Sequence, residues 1–330
     1  MGARVPYELV VLFEHPEWQK PLWAALDRRQ VRYAALDLKR AAFDPDAVPD
    51  AALYFNQASP SAYVRGNTRA VPLALSLMRS LELGGARVLN GTRAFVLELS
   101  KSSQAALLRQ LGIPHPRSLA FNDPEAALEQ WTAGWPALLK PEQGGSGARM
   151  FLLNSADELR KLMRDRPELW LPDNLLLLQQ YFPVDPTQGI VRMEFLGGKL
   201  LYAMRVISNG AFNLCPSEVC NPEDGGDSHC AITAAAPARV EFYPYPDVPP
   251  EAVATGEKIM AAGGLDVGGI EYLEAEDGAR VFYDVNANSN LRAPIGQAFG
   301  FDPFERVVDY LTEQISKLSS RAVRKSAERA

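Results

Sequence analysis

Cysteine and histidine are scarce in this chain of 330 residues, which has three of each. So few cysteines, in odd number, make no disulfide framework and fit reduced thiols. With only His15, His115 and His229 to draw on, a hydrolase built on a histidine base is a poor reading. Long apolar runs are missing too, and no stretch approaches the roughly 18–20 residues that a membrane span needs. The N-terminal MGARVPYELVVLFEH has a short apolar stretch and no small-residue cleavage site, so it reads as a first buried strand and not as a signal peptide. Basic charge is not in excess. The formal net charge of −6 disfavours a nucleic-acid partner, which would want a basic surface. Internal repeats, low-complexity tracts and long polar linkers are absent as well. The expectation is a cytoplasmic globular protein with neither a membrane nor a nucleic acid as partner. A homo-oligomer is compatible with the composition.

The length exceeds what one compact core usually occupies, so two or three packed subdomains are expected. The first ninety residues alternate strand and helix: YELVVLFEH, a helix over Glu17–Arg29, strands at Val31–Leu38 and Ala52–Phe55, a helix over Pro72–Leu83, then ARVLN. That alternation predicts a small open α/β domain. Thr92–Leu111 reads as one helix closed by Gly112, with Pro114 and Pro116 preventing its continuation. From Trp135 the pattern becomes strand-turn-strand in WPALLKP, EQGGSGA and RMFLL. A helix over Ala156–Arg164, a buried strand LLLLQQYF and a hairpin about Gly197-Gly198 follow. Residues 209–247 are rich in Gly, Pro, Asn and Asp and read as loops. A helix near Glu251–Ala262, the strand pair GGIEYLEAE and RVFYDVNAN, and a helix from Pro303 to Leu318 complete the chain, with a basic tail from Ser316 expected to fray.

The strongest local signal is LLKPEQGGSGARMFLL. Gly144, Gly145 and Gly147, with Ser146 between them, join two apolar strands in a turn whose backbone N–H groups approach phosphate oxygens closely. Lys140 would set a cation beside those phosphates. The segment is neither a Walker loop nor a dinucleotide fingerprint, because a strand follows it and no Gly-Lys-Ser/Thr is present. Alone, it reads equally as a plain glycine-rich hairpin. The second signal is VGGIEYLEAEDGARVFYDVNANSN. Period-2 geometry puts Asp284 and Asn286 on one face of their strand, and an antiparallel partner brings Glu271 to that face. Two carboxylates and an amide oxygen are hard ligands suited to Mg²⁺ bridging ATP phosphates, with Mn²⁺ an acceptable substitute. Lys101, as a lone helical lysine, reads as solvated. Gln180, Tyr181 and Phe182 end a buried strand, and Arg192 and Arg205 lie on the hairpin after it. In NQASPSAYVRGN, polar residues follow a strand, where open α/β sheets gather ligands. Arg65 there is a candidate to hold a substrate carboxylate, and Arg292 is a second.

Taken in order, these parts resemble the ATP-grasp superfamily, and within it the RimK-type glutamate ligases and the glutathione synthetases. The resemblance covers roughly residues 50–315 through SKSSQAALLRQLGIPHP, LLKPEQGGSG, LLQQYF, RMEFLGG, GGIEYL and YDVNANSN. It implies α/β and α+β architecture: an N-terminal α/β pre-ATP-grasp domain over 1–95, an ATP-grasp subdomain with the glycine loop over 96–185, one with the metal site over 186–318, and a basic tail over 319–330. It further implies that Lys101 and Lys140 contact the ATP phosphates and that Gly144–Gly147 close over them. Gln180, Tyr181 and Phe182 would hold the adenine. Arg192 would face the cleft, Arg205 would steady the transferred phosphoryl group, and Glu271, Asp284 and Asn286 would hold Mg²⁺. Where family members often carry an acidic residue for the ribose, Ile190 stands, and Asp185 is the substitute considered.

The activity so implied is ATP-dependent joining of a carboxylate and an amine, amino acid or peptide in kind, through an acyl phosphate. The alternatives are a kinase or ligase with a non-amine acceptor, and a nucleotide-binding regulator without turnover. FNLCPSEVCNPEDGGDSHC holds Cys215, Cys220, His229 and Cys230, enough ligands for zinc. Their spacing is irregular and the adjacent His229-Cys230 pair would chelate with difficulty, so reduced thiols in a loop are the preferred reading.

Overall fold

A computed structural model describes residues 7–47, 51–145, 147, 149–208, 240–289 and 291–327, with side chains as far as residue 320. The chain opens with β1 (Tyr7–Phe13), α1 (Pro16–Arg28), β2 (Tyr33–Asp37), β3 (Ala51–Gln57), a 3₁₀ turn at Pro60–Arg65, α2 (Ala70–Leu83) and β4 (Arg87–Leu89). These strands form a parallel sheet in the order β2-β1-β3-β4. Parallel strands need covered faces. Here one face packs on α2, through Ala74 and Met78, and the other on α1, through Leu22 and Leu26.

Next come α3 (Thr92–Leu99) and α4 (Lys101–Gln110), where the sequence predicts a single helix. Ser100 breaks it. Its backbone is extended (φ −125°, ψ 105°), and its side chain accepts from the Ser103 N–H, so it caps α4 while ending α3. A serine competes for backbone hydrogen bonds, which is why a helix restarts there readily.

A second, antiparallel sheet runs β5-β8-β6-β7, built from β5 (Ser118–Phe121), α5 (Pro124–Gln130), β6 (Ala137–Pro141), β7 (Phe151–Leu153), α6 (Ala156–Asp165) and β8 (Leu176–Gln180). A third combines β9 (Ile190–Leu196), β10 (Lys199–Ile207), β11 (Glu241–Pro244), β12 (Val267–Glu274) and β13 (Arg280–Asn286) in the order β11-β10-β9-β12-β13, with α7 (Pro250–Gly263) inserted before β12. The strand β11 lies inside a span read from sequence as loop. It pairs antiparallel with β10, so tertiary pairing overrides a weak local signal.

The third sheet positions the site. One face, carrying Val191, Met193, Phe195, Ile270, Tyr272 and Phe282, packs against α4 and α7 in an apolar core. The opposite face looks into a cleft. Asn90, just past β4, ties the first sheet to the third: its side-chain N–H donates to the Val267 carbonyl at 2.8 Å, and its oxygen accepts from Asp266 and Val267 N–H. The chain ends with α8 (Ala293–Ala298) and α9 (Pro303–Ala327). Where the sequence suggested a frayed tail after Ser316, α9 continues to Ala327. It lies back on the first sheet, with Val307, Val308 and Leu311 in the core shared with α1, and Arg28 pairs with Glu305 at 2.6 Å.

Candidate active site

Strand register assembles the charged face. Arg192 on β9 stands opposite Glu271 on β12, and Glu271 opposite Asp284 on β13. Directly opposed residues of antiparallel strands share a face, so the three form a row. Gly269 faces Asn286 on one side and Glu194 on the other. A side chain at Gly269 would strike the Arg192 guanidinium, since an added Cβ would lie 2.3 Å from Nη2. Glycine there is the space in which Arg192 lies. A register shift leaves Tyr283 as the extra residue of β13, and its hydroxyl donates to Glu271 at 2.8 Å.

Arg192 donates from Nε to Glu194 at 2.6 Å and from Nη1 to Glu271 at 2.7 Å. Burial works against its charge, yet these two carboxylates hold its pKa above the ordinary arginine value. Burial raises Glu271, and neighbouring Asp284 adds to that. Burial also opposes the charge of Asp284, but there Lys101 prevails and its carboxyl stays below the usual range.

Lys101 is the first residue of α4, and its ammonium donates to Asp284. It is 8% exposed, which overturns its reading as a solvated helical lysine. Glu142, just beyond β6, fixes that helix start. Its carboxylate accepts from the Ser100 hydroxyl at 2.6 Å, the Ser102 hydroxyl at 2.5 Å and the Ser102 N–H at 3.1 Å. A carboxylate is well placed at a helix N-terminus. Lys140 on β6 is buried beside Lys101 and 5.9 Å from the Tyr283 ring centre. Burial first, and then Lys101, brings its pKa down to about 8.

Lys101, Lys140, Arg192, Glu271, Tyr283, Asp284 and Asn286 line a cavity of about 760 Å³ between the sheets. Gly144, Gly145 and Gly147 border it, and Gly145 lies so near the 3₁₀ turn that an added Cβ would come within 3.0 Å of Ser61. Ser146 is outside the described residues. Gln180, Tyr181 and Phe182 line the same cavity at the end of β8, and Gln180 N–H donates to the Arg117 carbonyl at 2.8 Å. Asp185 borders it too, and hydrogen bonds from Thr187 hold its carboxyl below the ordinary value.

Three expected residues are not brought in. Arg205 falls one residue out of register: Met204, not Arg205, is opposite Arg192. Its side chain lies on the other face, donating to Gln188 O and Glu274 at 3.2 Å and stacking on Tyr245. Arg65 is committed to buried Glu14 through Nε at 3.2 Å and Nη2 at 2.5 Å, and it also donates to Ser61. Arg292 lies over Phe242, 3.3 Å from the ring centre, and is not among the residues bordering the cavity. Cys215, Cys220, His229 and Cys230 lie outside the described residues.

Four residues that the sequence did not single out matter here: Glu98, Gln104, Glu142 and Glu194. Glu98 borders the cavity, accepts from Asn288 N–H with one oxygen, and leaves the other without a partner. Burial pushes its pKa up to about 8. Glu194 is wholly buried under Arg192. Gln104, Glu142 and Glu194 lie inside SKSSQAALLRQLGIPHP, LLKPEQGGSG and RMEFLGG, but their roles rest on tertiary contacts that the motifs do not display. Glu98 lies outside them, and only the serines around Lys101 hint that an acid is needed nearby.

Among the described residues no group of three or more His, Cys, Asp or Glu side chains forms a metal-ligand set. The set at hand has two carboxylates and an amide. Its carboxylate oxygens accept from Lys101, Arg192, Tyr283 and the Asn286 amide N–H, but a carboxylate oxygen keeps a second lone pair. The donor chemistry fits a hard divalent ion.

The two antiparallel sheets facing each other across a cleft, behind a parallel N-terminal layer, define the ATP-grasp fold. D-alanine–D-alanine ligase from Bacillus anthracis superposes with a TM-score of 0.67 at 14% identity, over 95% of this chain and 99% of that one. The ATP-grasp ligase PsnB, complexed with minimal precursor, gives 0.65 at 18% identity over 94% and 99%. In sequence, the chain is 24% identical over 271 residues to tetrahydromethanopterin:alpha-L-glutamate ligase of Methanosarcina acetivorans, which is 74% of this chain and 76% of that one. Across the curated relatives it matches, the chain spans from 9% to 76% of their length. No family model matches the chain.

Proposed function

We propose that the protein is an ATP-dependent carboxylate–amine ligase acting through an acyl phosphate. The observation that carries this reading is the meeting, around one cavity, of two buried lysines and a glycine turn with Glu271, Asp284 and Asn286. Fold similarity to ligases supports it.

In this reading the backbone of the glycine turn, Lys101 and Lys140 hold the ATP phosphates. Gln180, Tyr181 and Phe182 border the adenine. Glu271, Asp284 and Asn286 would hold Mg²⁺, which supplies charge neutralisation on the phosphates. Arg192 orients Glu271 and favours its charged form against burial and the neighbouring Asp284. A substrate carboxylate oxygen attacks the γ-phosphorus and ADP leaves; an amine then attacks the acyl carbon, loses a proton, and phosphate departs with the original carboxylate oxygen. The protein's part is positioning, electrostatics and exclusion of water from the acyl phosphate.

The test is isotopic. With ¹⁸O in the substrate carboxylate, released phosphate carries one ¹⁸O and ADP appears in equal amount. A stable phosphoester without labelled phosphate identifies a kinase instead, and nucleotide binding with no ADP release overturns an enzymatic role.

A further inference from the structure

The cavity does not end at the phosphate-binding groups. It continues to Leu22 of α1, Phe55 of β3, Leu291 after β13, and Phe304 and Val307 of α9, with Trp18 beside them. These aliphatic and phenyl side chains belong to one apolar cluster, so the cleft opens directly onto a core surface. The chain carrying Asp284 and Asn286 runs into this arm through Asn288 and Ser289, which also border the cavity. Asn288 donates to Ala58 O and Ser289 to Glu194, so the polar groups between the carboxylate row and the apolar arm are already engaged.

Charge is distributed unevenly along the cavity. Its described cations, Lys101, Lys140 and Arg192, all stand with the carboxylate row. At the arm the neutral polar neighbours include Gln19, Gln57, Ser59 and Ser61, and the hydroxyls of the two serines bond each other at 2.8 Å. Arg65, the cation of the adjoining 3₁₀ turn, is neutralised by Glu14. Glu17 borders the cavity near Trp18 and is exposed. An acidic side chain entering the arm would lose its hydration without gaining a cation, which is costly. An apolar side chain would bury its surface favourably.

Resting on the ligase reading above, we propose that this chain takes an amino-acid substrate with an uncharged apolar side chain, seated against Leu22, Phe55, Leu291, Phe304 and Val307. The arm discriminates against acidic side chains, because no free cation faces it among the described residues.

Binding is measured by calorimetry on the full chain with Mg²⁺ and a non-hydrolysable ATP analogue. The probes are L-leucine, L-phenylalanine, L-glutamate and L-lysine. Leucine or phenylalanine should bind at least about tenfold more tightly than glutamate, the scale of one hydrophobic side chain's worth of selectivity. Leu291→Lys, which puts a cation into the arm, should reverse that order. Gln57→Arg brings a cation from the end of β3 and replaces it if Leu291→Lys does not fold. Equal or tighter binding of glutamate to the native protein overturns the proposal, as does failure of both leucine and phenylalanine to bind or an unchanged order in a folded cation variant. The readout needs no turnover, so failure of the ligase reading appears separately, as missing ¹⁸O transfer.

Discussion

Gln104 makes with Val285 the two hydrogen bonds that a neighbouring strand would make: Val285 N–H donates to its side-chain oxygen at 3.1 Å, and its amide nitrogen donates to Val285 O at 2.9 Å. Val285 lies between Asp284 and Asn286 on β13, the edge of the third sheet. The helix that carries Lys101 therefore also fixes the strand that carries Lys101's carboxylate partner.

Gln104→Met keeps side-chain volume but strands both backbone groups of Val285. Orphaned buried groups cost about 1–3 kcal/mol, so the unfolding midpoint should fall. Gln104 is not among the residues bordering the cavity, so the Mg²⁺ concentration for half-maximal ADP release should rise more than maximal turnover falls. Titrating Mg²⁺ against native and variant protein checks this; a lower midpoint with unchanged Mg²⁺ demand would make Gln104 structural only.

Asp284→Asn preserves size and polarity while removing a negative charge from the row. Turnover should drop by about 10²–10³, the scale for loss of one electrostatic stabiliser, while the protein still unfolds cooperatively. ADP release and thermal unfolding are measured together. Full activity in the variant removes Asp284 from the metal assignment.

Lys140 gives a pH signature. Its pKa is down to about 8 through burial and the nearby Lys101, so the free protein loses this proton as pH rises through that value. A polyphosphate that needs the ammonium must then recruit a proton, and the Kd for Mg-ATP should rise by up to about tenfold per pH unit above it. Below that pH the affinity should be flat with respect to Lys140. Lys140→Arg stays charged and should abolish the alkaline rise, which equilibrium binding from about pH 7 to 9.5 would show.

The two arginines excluded from the cleft should behave differently. Arg205→Ala, on the far face, should alter turnover by no more than about threefold. Arg65→Ala leaves Glu14 as an unpaired charge that is 1% exposed, and breaking such a buried pair costs about 3–5 kcal/mol. Calorimetric unfolding should show a large loss for Arg65→Ala. A strong catalytic defect in stable Arg205→Ala would reverse the assignment of its face.

The alternation of short apolar runs with helical segments was legible in the sequence, and so was an antiparallel hairpin about Asp277-Gly278. The pairing that faces Glu271 with Asp284 is not set by the turn, since the strands leave it with Glu274 opposite Arg280 and the extra residue Tyr283 then shifts the register. Arg205 was misjudged for a physical reason. Both faces of the third sheet are covered, and β10 buries Tyr202, Met204 and Val206 on one side and Ala203 on the other, so alternation alone does not say which side is the cleft. A register irregularity between Leu200 and Tyr202 then decides it. Glu98 and Glu142 were invisible because their roles rest on contacts with Asn288 and with Ser100 and Ser102, across 190 and 40–42 residues of chain. Lys101 looked like an ordinary helical lysine until the break at Ser100 turned it inward.

Each buried cation of the cleft is answered by acid: Lys101 by Asp284, Arg192 by Glu194 and Glu271, and Lys140 by the fields of Asp284 and Glu271. The enclosure is close to electrically neutral before any ligand enters. A bare polyphosphate would upset that balance with several negative charges in a poorly solvated space. Divalent ions arriving with it would restore the balance. Under the proposed function, the row of paired charges would act as a valence filter, favouring a nucleotide as its metal complex over the free anion.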